Sequence, residues 1–357
     1  MLTRRSLIKF AAAAPFATAA FAAAPSPGLA AHARAKNLVY GCATSTYQLK
    51  DPLFVAALKR EAAMLVPEYE MKRDKIEAAR GQYDFSATDA LAGFARDNEM
   101  GLRGHTLVWH AANPPWLEQA VTATRNERLF TDYVTAVMTH YRGRLSSIDV
   151  VNEALLAASP RQDGLRESFW LKAFGPGYID TAFHAAHQAE PSCLLVYNDW
   201  GCEAGAPKND RMRAITLDFL SKALARKVPI GAYGMQGHLG AFDPPIDQKK
   251  LRQFLDDIRA LGLRVIVTEH DVHDDGGSSD NAVRDRAVAD ASARFLDVVL
   301  GSNAVDAVLT WGLSDKYLDA PGWSERLAGY EPRFLPLDRT LQRKPLWQAM
   351  ANAFDRA

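Results

Sequence analysis

Two glutamates stand where an apolar run gives way to polar residues. The stretch SIDVVNEAL (147–155) ends its β-branched run at Asn152 and Glu153, and LRVIVTEHDV (263–272) repeats the pattern around Glu269. Such runs are typical of buried strands in a parallel sheet. Two carboxylates delivered by separate strand ends are what hydrolysis of a glycosidic bond requires. The question is whether the chain can bring these two side chains face to face.

Segments with strand-like and helix-like patterns alternate along the rest of the chain. The predicted strands are 38–44, 62–70, 101–110, 147–155, 193–200, 229–238, 263–272 and 306–313. The predicted helices are 52–60, 86–100 with Ser86 as N-cap, 127–141, 168–188, 208–226, 247–261, 281–300 and 345–354.

This alternation, without a flexible linker, favours an α/β fold with a single (β/α)8 TIM barrel. A doubly wound open sheet is the competing arrangement, and it ordinarily has a glycine-rich phosphate-binding turn after its first strand. Residues 41–44, Gly-Cys-Ala-Thr, do not provide such a turn. In a barrel the active site lies at the carboxyl ends of the strands, so both glutamates are expected on one face.

The bulk composition is that of an ordinary globular enzyme. The chain has 357 residues, of which 48% are hydrophobic and 24% charged, with a formal net charge of zero. A balanced charge argues against nucleic acid or an acidic membrane surface as the main partner. We expect a monomer.

The amino terminus has the pattern of a targeting segment. Residues 3–9, Thr-Arg-Arg-Ser-Leu-Ile-Lys, resemble a twin-arginine export signal, and an apolar alanine-rich stretch follows at 10–24. Small residues offer cleavage sites at Ala22 and Ala24 or at Ala31 and Ala33. We therefore expect a signal peptide over 1–33, a catalytic domain over 34–357, and a periplasmic or secreted protein without stable membrane association.

The cysteines predict neither a disulfide framework nor a metal site. Cys193 and Cys202 flank a predicted strand, which would hold them roughly 25–30 Å apart, whereas a disulfide needs Cα atoms within about 7 Å. No Cys-His spacing typical of a metal site is present either. No metal and no cofactor are expected.

Polar and aromatic side chains follow the predicted strands at the same end of the barrel. They are Glu70, Lys72, His105, Trp109, His110, Asn152, Glu153, Tyr197, Asn198, Asp199, Gln236, His238, Glu269, Asp271, Trp311 and Asp315. A strand end that was polar for solvation alone would more often carry Ser, Asp or Gly than Trp, His and Glu.

Five motifs make a resemblance specific. GHTLVWH, VVNEAL, YNDW, GMQGHL and VTEHDV are similar, in order and spacing, to the successive strand motifs of glycoside hydrolase family 10, the endo-1,4-β-xylanases. The similarity runs from about Gly41 to Trp347. It implies a retaining double displacement on internal β-1,4-xylosidic bonds of xylan or xylo-oligosaccharides, without a cofactor.

The resemblance assigns the chemistry to particular residues. Glu153 matches the general acid/base, which must stay protonated to expel the leaving oxygen, and Glu269 matches the nucleophile. His238 matches the residue that hydrogen-bonds the nucleophile, and Asp271 would orient that imidazole. Asn152 matches the residue that binds the sugar 2-hydroxyl. A retaining enzyme should hold its two carboxyl groups about 5–5.5 Å apart.

The same resemblance also assigns the residues that bind the substrate. The residues that match subsites on the non-reducing side of the cut are Lys72, His105 and Trp109. Gln236 matches a polar residue close to the scissile sugar. Trp311 and Trp323 match aromatic platforms near the cleavage point.

The chain also departs from the family pattern. Tyr69 replaces a sugar-binding Asn, Arg73 replaces a Trp, and Ala112 stands where a Gln is usual. Trp200-Gly201 replaces Tyr-Asn, and His270 replaces Leu. The first three changes are expected on the glycone side of the cleft, so the catalytic groups are kept while substrate selection is altered.

Three alternative functions remain open. A related barrel glycosidase could act on another β-glycan, such as glucan or mannan. A metal-dependent barrel hydrolase could use the histidines, although such barrels generally place a His pair after the first strand. A carbohydrate-binding protein without catalysis would also fit the fold, but both carboxylates are present. The histidines concerned are His105, His110, His238, His270 and His273.

Overall fold

The computed structural model describes residues 27–318 and 331–357. The strands are β1 (Val39–Thr44), β2 (Met64–Pro67), β3 (Gly101–Gly104), β4 (Ser147–Asn152), β5 (Leu194–Asp199), β6 (Ala232–Met235), β7 (His238–Gly240), β8 (Arg264–His273) and β9 (Val305–Thr310). The helices are α1 (Leu29–Arg34), α2 (Pro52–Glu61), α3 (Arg73–Ile76), α4 (Ser86–Asp97), α5 (Pro115–Thr124), α6 (Arg128–His140), α7 (Phe169–Phe174), α8 (Gly177–Ala189), α9 (Pro207–Ala225), α10 (Gln248–Ala260), α11 (Asn281–Leu300) and α12 (Pro345–Arg356).

Eight of the strands close into one barrel. Strands β1 to β6 pair in parallel in chain order, β6 pairs with β8, and β9 pairs with both β8 and β1. The short β7 pairs with the carboxyl end of β8, where His238 lies opposite Asp271. The (β/α)8 barrel predicted from the sequence is therefore confirmed.

Neighbouring residues on each strand pack on opposite sides of the barrel wall. In β1, Ala43 belongs to a cluster made of strand residues, whereas Cys42 packs in the larger cluster that includes the surrounding helices. The cluster of strand residues consists of Ala43, Val66, Val196, Ala232, Ile266, Ala307 and Leu309. Burial of both faces explains why the strands have nearly continuous apolar sequences.

Strand β3 is shorter than predicted, and this shapes the mouth of the barrel. It ends at Gly104, not His110. Beyond it, the N–H groups of Leu107 and Val108 still donate to carbonyls of β4. Trp109 and His110 therefore lie in the loop that follows, where their side chains can reach the site instead of the barrel wall.

Two helical predictions need correction. The segment 168–188 forms two helices, α7 and α8, because Gly175 adopts φ 66° and Pro176 begins a new turn. Helix α5 was not predicted. Ser86 is the first residue of α4, but its side chain is not the cap: the Asp84 carboxylate accepts the Ser86 N–H at 2.9 Å.

Helix α1 packs against the barrel although it begins before residue 34, the expected start of the catalytic domain, which stays a prediction. Leu29 and Ala33 are completely buried against the barrel core. The Leu29 N–H donates to Glu61 Oε2 at 3.0 Å, and the Trp347 indole N–H donates to the same oxygen at 2.8 Å. This buried carboxylate joins α1, α2 and α12.

The thiols of Cys42, Cys193 and Cys202 are buried and form no disulfide. Within 27–318 and 331–357, no helix combines the length and apolar character that crossing a bilayer would demand.

Candidate active site

Glu269 lies near the carboxyl end of β8 and is 6% exposed. The Asn198 amide donates to its Oε1 at 2.7 Å, and His238 Nε2 lies 3.4 Å from its Oε2. Burial alone would raise the pKa of Glu269, but the hydrogen bond from His238 and the charges of His105 and His238 bring it below its ordinary value. A carboxylate that stays ionised in a dry site can act as a nucleophile.

The imidazole beside Glu269 is itself held by a carboxylate. His238 Nδ1 lies 2.8 Å from Asp271 Oδ1, and His273 Nε2 lies 3.4 Å from the same oxygen. Burial works against a charged His238, yet Asp271 and Glu269 raise its pKa well above the ordinary value. The raised pKa favours the cationic form of His238, whose ring lies beside Glu269.

The backbone of Glu153 is fixed by two contacts just beyond β4. The Glu153 N–H donates to the Asn198 carbonyl at 2.9 Å, and Arg166 Nε donates to the Glu153 carbonyl at 2.8 Å. Its φ of 55° lies in the left-handed region, which few residues other than glycine adopt.

The Glu153 side chain has looser contacts than Glu269. Gln236 Nε2 and Asn152 Nδ2 lie 3.2 and 3.4 Å from its Oε1. His110 Nδ1 and Arg166 Nη2 each lie 3.9 Å from its Oε2. The carboxyl side chain is 16% exposed, so water and substrate can reach it.

Three amide side chains connect the two glutamates. Asn152 Oδ1 accepts from Asn198 at 2.9 Å and from Gln236 at 3.4 Å. Asn198 also donates to Glu269, and Gln236 also donates to Glu153. A continuous hydrogen-bond path thus joins the carboxyl ends of β4, β5, β6 and β8. Both carboxylates therefore lie at the same mouth of the barrel, as a pair acting on one bond requires.

A cation surrounded by aromatic rings lies beside this pair. Lys72 Nζ is 4.9 Å from the ring centre of Tyr69, 5.4 Å from Trp109 and 5.6 Å from Trp311. His105 meets Trp311 edge-on at 5.2 Å between ring centres. Burial lowers the pKa of Lys72, and nearby Glu269 partly offsets this effect. Aromatic faces and a charged donor together suit a ring that carries hydroxyl groups.

Comparison with known proteins decides the family. The sequence profile described as "Glycosyl hydrolase family 10" matches residues 28–353. The chain belongs to this family.

Relatives from distant organisms agree with this family. Endo-1,4-beta-xylanase B of Thermotoga neapolitana is 32% identical over 304 residues, which is 85% of this chain and 83% of the relative. Endo-1,4-beta-xylanase A of Fusarium oxysporum f. sp. lycopersici is 30% identical over 338 residues, covering 92% and 99% of the two chains.

Solved structures show the same architecture. Xylanase 10B from Thermotoga maritima superposes with a TM-score of 0.80 at 29% identity, covering 92% of this chain and 98% of the other. Xylanase 10B from Thermotoga petrophila RKU-1, solved in complex with xylobiose, has the same TM-score and identity and covers 92% and 97%.

Of the family-10 departures on the predicted glycone side, Arg73 does not reach the cleft. Arg73 is 3% exposed, donates to Glu77 Oε2 at 2.7 Å and lies 4.4 Å above the Tyr133 ring. The expectation that Arg73 changes a sugar subsite is therefore wrong, because its charge is neutralised inside the protein. Tyr69, by contrast, contacts Lys72 and does lie at the mouth.

Two other departures, His270 and Ala112, have well-defined local contacts. His270 is completely buried between the Gly237 carbonyl and the Ser292 hydroxyl, each 2.9 Å from one ring nitrogen. It replaces the usual Leu with a hydrogen-bonded link between the segment after β6 and α11. Ala112 has φ 49°, and its carbonyl accepts the N–H of Asp74 at 3.1 Å.

The structure brings together all the predicted site residues that it describes. Trp323 lies outside the described residues. The sequence analysis gave no role to Asn198, which contacts Glu269 directly, although its place in YNDW beside the strand end was a usable signal. It also missed Asp149, whose Oδ2 lies 2.9 Å from His105 Nδ1 and which pairs with buried Arg103.

Two histidine-carboxylate groups in the described residues have the spacing of potential metal ligands. They are His238, Asp271 and His273, and His105, Asp149 and Glu269. In both groups the imidazoles already contact carboxylates within the family-10 site. Ion pairs between these side chains therefore account for their arrangement.

Proposed function

We propose that this protein is a retaining endo-1,4-β-xylanase in which Glu269 is the nucleophile and Glu153 the general acid/base. The observation that carries the proposal is the contrast between the two carboxyl groups at one barrel mouth. Glu269 is buried, hydrogen-bonded and held ionised by His238, whereas Glu153 is loosely contacted and reachable by water. A nucleophile needs the first environment, and a group that gives and takes a proton needs the second.

The reaction would proceed in two displacements. Glu269 attacks the anomeric carbon while Glu153 gives its proton to the departing glycosidic oxygen. Glu153 then takes a proton from water, which hydrolyses the glycosyl-enzyme bond and restores both groups. Asn152, held by Asn198 and Gln236, would bind the 2-hydroxyl of the sugar bonded to Glu269. The xylan chain on the non-reducing side of the cleaved bond would be bound by Lys72, Trp109 and Trp311.

Xylan as the substrate is supported by the names of relatives and by the site. The Thermotoga and Fusarium relatives are named endo-1,4-beta-xylanases, and the T. petrophila xylanase was solved with xylobiose. The Lys72, His105 and Trp109 set that we assign to xylose chains is assembled around the nucleophile.

The test is to incubate the protein with xylan, cellulose and mannan and to measure new reducing ends. We expect release from xylan, and proton NMR during hydrolysis of xylotetraose should first show the β-anomer. New reducing ends from cellulose or mannan but not from xylan would contradict xylan as the substrate. The α-anomer as first product would contradict the double displacement.

Action on a β-glucan is a second candidate. Tyr69 replaces the usual sugar-binding Asn beside Lys72. In addition, Exoglucanase XynX of Acetivibrio thermocellus is 32% identical over 304 residues, although the match spans only 26% of that longer protein. The candidate predicts that Tyr69→Asn raises the ratio of xylan to cellulose hydrolysis, whereas an unchanged ratio would remove it.

We further propose export by the twin-arginine route, with cleavage before helix α1. The support is Arg4-Arg5 with the following alanine-rich stretch and the burial of Leu29 and Ala33 in the barrel. Cleavage at Ala22–Ala24 would retain α1, while cleavage at Ala31–Ala33 would remove it. Amino-terminal sequencing of the exported protein should therefore begin before residue 28. The proposed monomer predicts a mass near 39.3 kDa or slightly below by light scattering.

A further inference from the structure

His270 is a completely buried histidine that follows the proposed nucleophile Glu269 in β8, and the mechanism described so far does not use it. Successive side chains of a strand point to opposite faces, so His270 points towards the helices while Glu269 faces the mouth. The His270 ring stacks on Phe295 of α11, with 5.4 Å between ring centres. An apolar side chain would be enough to fill this space, so a polar ring there needs a physical reason.

Both ring nitrogens of His270 have a partner, and the partners fix the tautomer. Nδ1 lies 2.9 Å from the Gly237 carbonyl oxygen, and Nε2 lies 2.9 Å from the Ser292 hydroxyl. Because a carbonyl can only accept, Nδ1 must carry the proton and donate to Gly237, and Nε2 then accepts from Ser292. Burial lowers the pKa of His270, which favours this neutral form. His270 is thus a donor held in one orientation by α11.

The acceptor, Gly237, lies in the break between β6 and β7 and belongs to neither strand. The Gly237 N–H donates to Glu203 Oε1 at 3.0 Å, so buried side chains hold both its N–H and its carbonyl. The Gly237 φ of 80° lies in the left-handed region, and a Cβ there would lie 2.9 Å from Val267 Cγ1. Side chains therefore fix this peptide segment where the strands do not.

The two neighbours of Gly237 are the residues that contact the proposed catalytic carboxylates. Gln236 Nε2 lies 3.2 Å from Glu153 Oε1. His238 Nε2 lies 3.4 Å from Glu269 Oε2. Because the three residues are consecutive, a shift of the Gly237 carbonyl would move both side chains and change both contacts at once.

We infer that His270 is a positioning residue, whose hydrogen bond to the Gly237 carbonyl sets the geometry of both contacts to the catalytic carboxylates. The inference rests on the proposed function and adds to it a residue that touches neither the substrate nor the reacting atoms. Leu, the usual family residue at this position, would fill the space between β8 and α11 but has no donor for that carbonyl.

Two amide substitutions test the two ring nitrogens separately. In His270→Asn an amide N–H can lie where Nδ1 lies and donate to Gly237, whereas in His270→Gln it can lie only where Nε2 lies, beside Ser292. We expect kcat on xylotetraose to fall about tenfold in His270→Gln and in His270→Leu. KM should change little, because Lys72 and Trp109 follow β2 and β3. His270→Asn should keep most of the wild-type kcat.

Ser292→Ala is the matched control for packing. It removes the partner of Nε2 but keeps the Nδ1–H and the ring stacked on Phe295, so it should lower the midpoint of thermal unfolding and leave kcat close to the wild-type value. Thermal unfolding also checks that each variant is folded, and the Asn and Gln variants decide the matter if His270→Leu does not fold.

Two results would overturn the inference alone, in a wild type that cleaves xylotetraose. One is an equal kcat in His270→Asn and His270→Gln, and the other is a wild-type kcat in folded His270→Leu. A wild type that cleaves neither xylotetraose nor xylan would overturn the proposed function and this inference with it.

Discussion

Asp271, next to the proposed nucleophile Glu269, and Asp199, behind the proposed acid/base Glu153, are both almost fully buried but have opposite surroundings. Asp271 contacts two imidazoles, His238 and His273. Burial alone would raise the pKa of Asp271, but the charge and hydrogen bond of His238 bring it far below its ordinary value. The ionised form of Asp271 is therefore strongly favoured.

Asp199 receives its contacts from uncharged donors. The Tyr197 hydroxyl donates to Oδ2 at 2.5 Å, and the N–H groups of Leu155 and Trp200 donate as well. Burial raises the pKa of Asp199 to about 8, because these donors only partly compensate for it. The same residue type is therefore charged on one side of the cleft and neutral on the other. Glu269 needs a fixed electrostatic environment, whereas Glu153 must change its protonation state within one turnover, and a neutral support does not oppose that change.

The largest effects should come from the glutamates themselves. Glu269→Gln should lower kcat by about 10⁴-fold or more on every substrate, because no other described side chain can form the covalent bond. Glu153→Gln should cost about 10²- to 10⁴-fold on xylotetraose. It should cost much less for the first step on an aryl xylobioside, whose leaving group needs no proton. Burst kinetics with a nitrophenyl xylobioside measures that step. If the two variants lost activity equally on both substrates, the two glutamates would not have the different roles proposed for them.

His238→Asn should have the next largest effect, lowering kcat/KM by about 10- to 100-fold. The His238 hydrogen bond lowers the pKa of Glu269, so its loss should raise that pKa. The acidic limb of the pH profile should then move to higher pH. His140→Asn is a matched control, since His140 has the same exposed fraction of 31% and contacts Asp89 at 2.9 Å outside the site. An acidic limb that stays in place would argue against the assigned role of His238.

The pH dependence of stability in the Asp199→Asn variant tests whether Asp199 is neutral in the folded protein. The folded-state pKa of about 8 lies above the unfolded value near 3.9. The wild type therefore binds one more proton when folded, and its free energy of unfolding falls as pH rises between about 4 and 8, by about 1.4 kcal/mol per pH unit. The variant lacks this dependence but loses a hydrogen bond. Its stability deficit, measured by urea unfolding, should thus be largest near pH 4 and shrink towards pH 8. A deficit that grows with pH would mean that Asp199 is ionised.

His273→Gln should give the smallest change. Burial opposes a charge on His273, but Asp271 raises its pKa above the ordinary value. Glutamine keeps a donor to Asp271 and removes that charge. We expect kcat/KM to fall a few-fold below about pH 7 and to approach the wild-type value as the pH rises towards 9, because the wild-type His273 then loses its charge. A difference that persists at pH 9 would indicate a packing effect against Phe334, which lies 4.4 Å away between ring centres.

The parts of the molecule that the sequence predicted well are those where burial repeats along a strand. The apolar runs of β4 and β8 locate Glu153 and Glu269 because a strand buried on both faces leaves little ambiguity about where its apolar run stops, although β8 itself continues to His273. In a short segment, no comparable sequence pattern indicates the direction in which a side chain points. Arg73 follows Lys72 directly, yet Arg73 points into a buried ion pair with Glu77 and Lys72 points into the cleft.

Other features depend on contacts that local composition does not reveal. Helix α1 is alanine-rich like the stretch before it, and its burial against the barrel core and its contact with Glu61 are seen only in the structure. The break at Gly175-Pro176 was present in the sequence, but the apolar spacing on both sides made one helix the simpler prediction. The role of Asn198 depends on neighbours from β4 and β8, which are distant in the chain.

The left-handed backbone at Glu153 has an evolutionary consequence. A glycine there would relax a conformation that costs other residues roughly 1 kcal/mol or more, so Glu153→Gly would be favoured by any selection for thermal robustness alone. A library screened only for heat resistance should drift away from glutamate at this position, and one screened for sugar release should not.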